Sequence, residues 1–172
     1  MDFEGSLRTG IREVGIVIVN EGKISQTHEI VQQKSDKRQM ELKIIEFFAS
    51  KIDEIPKCIC SHNHSTENNL LKSIMPYVTS RSTENITWGP WLDTLSIYRR
   101  LYPDLMKYDL KSLVESFLCP DKLKIIATRH CNILRASYHH ALYDSICCYL
   151  LWLRISQKIK ISPDLRINRL GE

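Results

Sequence analysis

The apolar positions along this chain change period from stretch to stretch, and the period names the element. Val14-Gly15-Ile16-Val17-Ile18-Val19 is a continuous apolar run rich in β-branched residues, which predicts a strand over 11–19 buried on both faces. Asn20-Glu21-Gly22 is a turn signal with Gly22 supplying a positive φ, and the alternation from Lys23 to Val31 supplies the hairpin partner. Met40, Ile44, Phe47 and Phe48 then recur at helical spacing. They predict an amphipathic helix over 36–52, broken by Pro56. Lys57 to Ser61 is a short strand, followed by a helix that Ser65 or Thr66 caps and that carries Leu70, Leu71 and Ile74 inward. Trp88 to Leu95 reads as a loop entering a short strand, with Asp93 and Thr94 available to cap a helix through Ile97 and Leu101 that Pro103 ends. Asp109 caps the next helix, whose Leu110, Leu113, Val114 and Phe117 keep helical spacing. Over 118–134 the pattern leaves Ile125 and Ile126 open between strand and helix end. The last helix runs from near His140 to about Ser156, with Cys147, Cys148, Leu151 and Ile155 on the same side as Asp144. Strand, strand, helix, strand, helix is the order of a mixed α/β layer fold.

Several acids sit against this pattern rather than within it. Along an extended strand side chains alternate faces, so Asp2 and Glu4 point one way and Phe3 the other, toward a core. Two adjacent carboxylates repel unless positive charge lies between them, and hard divalent cations take oxygen ligands. An isolated Asp-x-Glu is more often a polar terminus than a metal site, so the downstream context decides. Glu67 precedes Leu70, Leu71 and Ile74 by three, four and seven residues and therefore heads their apolar face. The helix macrodipole alone favours an acid in the first turn, but does not explain an acid that points inward. Asp144 stands likewise at the edge of the last helix's apolar face. His139 precedes it by five residues, roughly 140° apart on a continuous helix. Both can address one site only if His139 lies just before the helix.

Composition narrows the class. The chain has 172 residues, 43% hydrophobic and 26% charged, which suits a single soluble domain with a real core. The longest uncharged apolar run, Ser145 to Leu153, falls short of the ~20 residues that span a bilayer. The acidic N-terminus lacks the layout of a secretory signal, so a cytoplasmic location and no membrane partner are the expectation. The net charge of +4 permits a polyanionic partner without demanding one. The six cysteines are expected to be reduced. Cys58-x-Cys60-x-His62-x-His64 invites a zinc reading, but structural sites favour two to four residues between paired ligands. The competing reading is two buried strand cysteines and a histidine-bearing loop.

Asp2-Phe3-Glu4, Ser61-His62-Asn63-His64-Ser65-Thr66-Glu67-Asn68-Asn69-Leu70-Leu71, Asp93-Thr94-Leu95 and His139-His140-Ala141-Leu142-Tyr143-Asp144 together resemble the DEDDh 3′–5′ exonucleases. That group includes the proofreading exonuclease subunit of bacterial DNA polymerase III and ribonuclease T. The order and spacing match over nearly the whole chain. The resemblance implies an α/β, ribonuclease H-like fold: a mixed five-stranded sheet flanked by helices, its first strand shortened here, over 1–157, with 158–172 a basic tail. It implies Asp2, Glu4, Glu67 and Asp144 as ligands of two divalent cations, Mg²⁺ or Mn²⁺, and His139 as general base. Phe3, Gly5, Ser6, His62 and Asn63 would contact substrate, the 3′ end of single-stranded DNA or RNA, with a replication or repair complex as further partner. Two features depart from the family pattern. Glu67 stands where Asp is usual, and the sequence starts one residue before Asp2, where the family has an apolar strand, so the start is expected to lie upstream. The alternative these departures suggest is a weakened exonuclease-fold module that binds nucleic-acid ends or a protein.

Overall fold

The computed structural model describes residues 1–33, 36–50, 57–76, 78–79, 85–86 and 88–158. Strands β1 (Asp2–Ser6), β2 (Gly10–Asn20) and β3 (Lys23–Val31) form an antiparallel meander. In it Asp2 faces Gly15, Phe3 faces Val14 and Glu4 faces Glu13. The β2–β3 turn has positive φ at both Glu21 and Gly22, the twist a two-residue hairpin needs. After α1 (Lys37–Ser50) come β4 (Ile59–Ser61) and α2 (His64–Ile74), then a short antiparallel ribbon, β5 (Val78–Thr79) and β6 (Asn85–Ile86). Strand β7 (Trp91–Asp93) pairs in parallel with β4. Four helices follow: α3 (Thr94–Leu101), α4 (Leu110–Phe117), α5 (Pro120–His130) and α6 (Ala141–Lys158), with a 3₁₀ turn at Ile133–Arg135 before α6.

Two apolar clusters divide at β2. Val14 and Ile16 point to one face, where they meet Phe3, Met40, Ile44, Leu70 and Leu71 of β1, α1 and α2. Val17 points to the other face, toward Leu142, Ile146 and Leu151 of α6 and the residues of α3 and α4 behind them. The strand is thus buried on both faces at its centre, as its sequence predicts, but Val19 at its far end is exposed. Helix α6 is buried all round over Ala141–Cys148, and only beyond that does one face, Leu151 and Ile155, remain inside.

Helix α6 reaches this depth because β2 has no side chain at the crossing. A Cβ on Gly15 would overlap the Ala141 carbonyl and the Leu142 amide. The Ser145 hydroxyl donates to the Gly15 carbonyl at 2.8 Å, so the contact is backbone on backbone with its polar groups satisfied.

Several expectations change. The expected single five-stranded sheet is three ladders among the described residues, and β1 reaches β4 through one bond, from the Met1 ammonium to the Cys60 carbonyl at 2.8 Å. Neither Ser65 nor Thr66 caps α2. The helix starts at His64, and Asn63 takes the cap position at φ 65° with no side-chain cap bond: its backbone N–H donates to Asp93 Oδ1 at 2.8 Å, and its side chain bonds Thr66 and Ser65. Asp93 and Asp109 cap α3 and α4 as expected, accepting from the Leu95 and Ser112 amides. The ambiguous Ile125–Ile126 pair belongs to α5, which buries Leu123 and Ala127 and leaves Ile125 exposed. Residues 51–56, with the expected end of α1 and Pro56, and residues 159–172 of the expected tail lie outside the described residues. Among the described residues no helix is long and apolar enough to cross a membrane.

Gly15→Ala should destabilise the fold by about 3 kcal/mol, the upper part of the usual overpacking range, because backbone rather than a flexible side chain must move. Denaturant unfolding measures it, and a variant within 0.5 kcal/mol or so of the parent would show that α6 can lift off β2 freely.

Candidate metal centre and active site

Strand pairing fixes the first two acids. Phe3, 5% exposed, anchors β1 in the α1–α2 core, so Asp2 and Glu4 must face the other way. Helix α2 brings in Glu67 from its first turn, 4% exposed, held by the burial of Leu70 and Leu71 on the same face. Helix α6 brings in Asp144, 7% exposed, from its own first turn. Glu67 Oε2 and Asp144 Oδ1 are both buried without a hydrogen-bond partner. Buried carboxylate oxygens without donors are costly, and a cation is the partner that suits them.

The four acids act on one another. Burial pushes Asp2 well above the usual carboxylate range, and the charges of Asp144, Glu67 and Glu4 push it further, against the Met1 ammonium. Burial lifts Glu67 to about 7, although its backbone amide bond opposes the rise. Burial likewise lifts Asp144 to about 6, opposed by the hydrogen bond from the His139 amide. Glu4 adds to all three shifts.

His139 lies immediately outside α6, at φ 67°, and its backbone N–H donates to Asp144 Oδ2 at 3.0 Å. Ligand atoms of Glu4, His139 and Asp144 then lie within 4.8 Å of one another, the one such group among the described residues. The five-residue separation of His139 and Asp144 is therefore bridged by a kink before the helix, as the sequence requires. His140 turns toward Glu13, its Nδ1 3.7 Å from Oε2.

The remaining expected positions divide. Phe3 offers the site only its backbone, since its ring is in the core. Gly5 lies at the β1 irregularity, where a Cβ would strike the Gly10 carbonyl, and Ser6 bonds Thr9 across the hairpin end at 2.8 Å. His62 is part of the framework: Nδ1 pairs with Thr94 Oγ1 and Nε2 with the Tyr108 carbonyl, each at 3.0 Å. Burial holds its pKa down, so a neutral ring bridges α3 and the loop before α4. Asn63 is exposed and bonds Thr66 and Ser65. The zinc reading fails on the same geometry, because Cys60 turns to Cys148, Sγ to Sγ 3.6 Å, while both His62 nitrogens are taken. All six cysteines are free thiols.

Three residues outside the expected set also shape the site. Asp93 accepts from the amides of Asn63 and Leu95 and from Ser96. Burial would raise its pKa, but these bonds outweigh burial and hold it down. Glu13 and Arg135 meet beside α6, Oε2 to Nη2 at 2.6 Å. The one sequence signal for Glu13 was a charge interrupting an apolar strand, and Arg135 gave none.

A solved structure shares this fold. The solved structure of exonuclease X in complex with 5′ overhanging duplex DNA superimposes with a TM-score of 0.58 at 21% identity, covering 99% of this chain and 97% of that one. No protein-family model matches the sequence, and no curated protein does.

The raised carboxyls give a signed prediction. Glu67 and Asp144 bind protons more tightly when folded than at their ordinary values of 4.5 and 3.8, so the stability they contribute is present below about pH 4 and lost as pH rises through about 6 and 7. Chelator-treated protein should therefore show a Tm component that rises on acidification from about pH 7.5 to about pH 5. Glu67→Gln, neutral throughout, should flatten it, and saturating Mn²⁺ should abolish it by stabilising the ionised acids. An identical pH profile for Glu67→Gln and parent would contradict the burial of this acid.

Proposed function

We propose that this chain is a metal-dependent 3′–5′ exonuclease of the DEDDh type, built on a ribonuclease H-like fold. The reading rests on three things: ligand atoms of Glu4, His139 and Asp144 within 4.8 Å of one another, unpartnered oxygens on Glu67 and Asp144, and the repulsion of Asp2 by Asp144, Glu67 and Glu4. The ordering β3-β2-β1, with β1 joined through Met1 to the parallel pair β4-β7, supports the ribonuclease H-like arrangement. So does the likeness to a solved exonuclease at full coverage.

The donor set fits hard divalent cations, Mg²⁺ or Mn²⁺, since all four acids offer oxygen; among the described residues the basic side chain paired with one of them is Arg12, exposed and 3.9 Å from Glu4. Asp2, Glu4, Glu67 and Asp144 would hold two such ions, which supply positive charge for a scissile phosphate and make a water easier to deprotonate. His139 would take that water's proton on its imidazole, the side chain most often used as a general base. Asp144 holds His139 in place through the backbone N–H while its other oxygen stays open to the site. Ser6 and Asn63 are exposed and Gly5 is half-buried, and these three would contact the 3′-terminal nucleotide of a single strand.

A 5′-labelled oligonucleotide, DNA and RNA in turn, with Mg²⁺ or Mn²⁺ tests the reading. Shortening one nucleotide at a time from the 3′ end is expected, with His139→Ala lowering turnover by roughly 100- to 10,000-fold and leaving Mn²⁺ affinity almost unchanged. Binding of the strand without cleavage under both metals would favour a weakened end-binding module instead.

A further inference from the structure

Glu13 stands on β2 directly across from Glu4, yet none of the chemistry above uses it. Its Oε2 accepts the Ala141 N–H at 3.3 Å and lies 2.6 Å from Arg135 Nη2. Arg135 reaches the next strand as well, its Nε donating to Glu29 Oε1 at 3.1 Å on β3. The side chains of Glu13, Arg135 and Glu29 are 16%, 23% and 19% exposed, so water screens this network only partly.

The segment between these ties is the one that carries His139. Arg135 fastens its upstream end to the sheet and Ala141 its downstream end, and Glu13 takes part in both. Between them His139 holds a left-handed backbone conformation, which a non-glycine residue keeps only where its surroundings impose it. Its own amide bond to Asp144 fixes one point of the segment. That bond leaves open the path by which the chain enters and leaves the kink.

We propose that Glu13 is a positioning residue that sets the His139 imidazole against the acid cluster, acting through Ala141 and Arg135. The role rests on the nuclease reading. A carboxylate suits it because one oxygen serves both a backbone amide and a guanidinium, and charge strengthens each bond. Gln at this position still accepts the Ala141 N–H but loses the charge that holds Arg135.

Two measurements on the full chain test the role. Hydrogen exchange should show faster exchange over 139–142 in Glu13→Ala than in the parent, with Glu13→Gln between them. In the nuclease assay, Glu13→Ala should lower kcat about 100-fold, the scale of a misplacement near 1 Å. KM for the oligonucleotide and the affinity for Mn²⁺ should change less than about threefold, a split that general loosening would not produce. Glu13→Gln should recover about tenfold of the loss. Arg135→Ala, which leaves Glu13 folded on Ala141, should lower kcat in the same direction and carries the test if Glu13→Ala fails to fold. Unchanged exchange in both Glu13 variants overturns the tether. Unchanged kcat, or Mn²⁺ affinity falling in step with kcat, overturns the role in placing His139. A parent chain without nuclease activity removes the reading beneath the role, while the exchange data still decide the tether alone.

Discussion

The first turn of α6 lies directly on the backbone of β2 at Gly15, and the candidate site is referenced to that contact. Gly15 faces Asp2 across the β1–β2 ladder, so the residue that admits α6 also registers the first acid. Two positions away, Glu13 faces Glu4 and takes the Ala141 amide. One strand therefore aligns β1, with Asp2 and Glu4, against α6, with Asp144 and the His139 kink. Helix α2 and Glu67 join from the other cluster through the burial of Leu70 and Leu71 beside Phe3. Side-chain positions set this way depend on backbone packing more than on flexible contacts, which is what a site of fixed geometry requires.

The arrangement opposes stability. Gathering Asp2, Glu4, Glu67 and Asp144 where burial already disfavours charge raises the proton affinity of three of them, and the Met1 ammonium offsets the rise at Asp2 and Glu67 only in part. Elsewhere the same chain satisfies its buried acids: Asp93 collects four donors and is held well ionised. The contrast between Asp93 and the cluster argues that the unpartnered oxygens of Glu67 and Asp144 face a ligand. Strain and unsatisfied polar groups collected at one place are expected at functional sites.

Much of this was legible because the elements that carry the acids have strong periodicity. Phe3 between two acids, Leu70 and Leu71 behind Glu67, and the apolar face behind Asp144 each fixed an inward direction from sequence alone. The β2–β3 hairpin and the Asp93 and Asp109 caps were equally plain, since turn and cap chemistry is local. What escaped was long-range. Asn63 rather than Ser65 begins α2 because Asp93, thirty residues on, claims its amide. His62 looks like a site residue by motif and proves to be a framework bridge, since its partners Thr94 and Tyr108 come from a different part of the chain. The Arg135–Glu13–Glu29 network joins segments more than a hundred residues apart and leaves no periodic trace. The helical character of 118–134 was hidden by Ile125, an apolar residue on an exposed face.

The proposed function requires that β1, α2 and α6 build a single divalent-cation centre from Asp2, Glu4, Glu67 and Asp144. Anomalous diffraction from crystals grown with Mn²⁺ tests it most directly. The account predicts strong anomalous peaks enclosed by these carboxylates, with an oxygen of Glu67 or Asp144 that now lacks a partner within bonding distance. Manganese bound elsewhere, with the four side chains still free of it, would contradict the account.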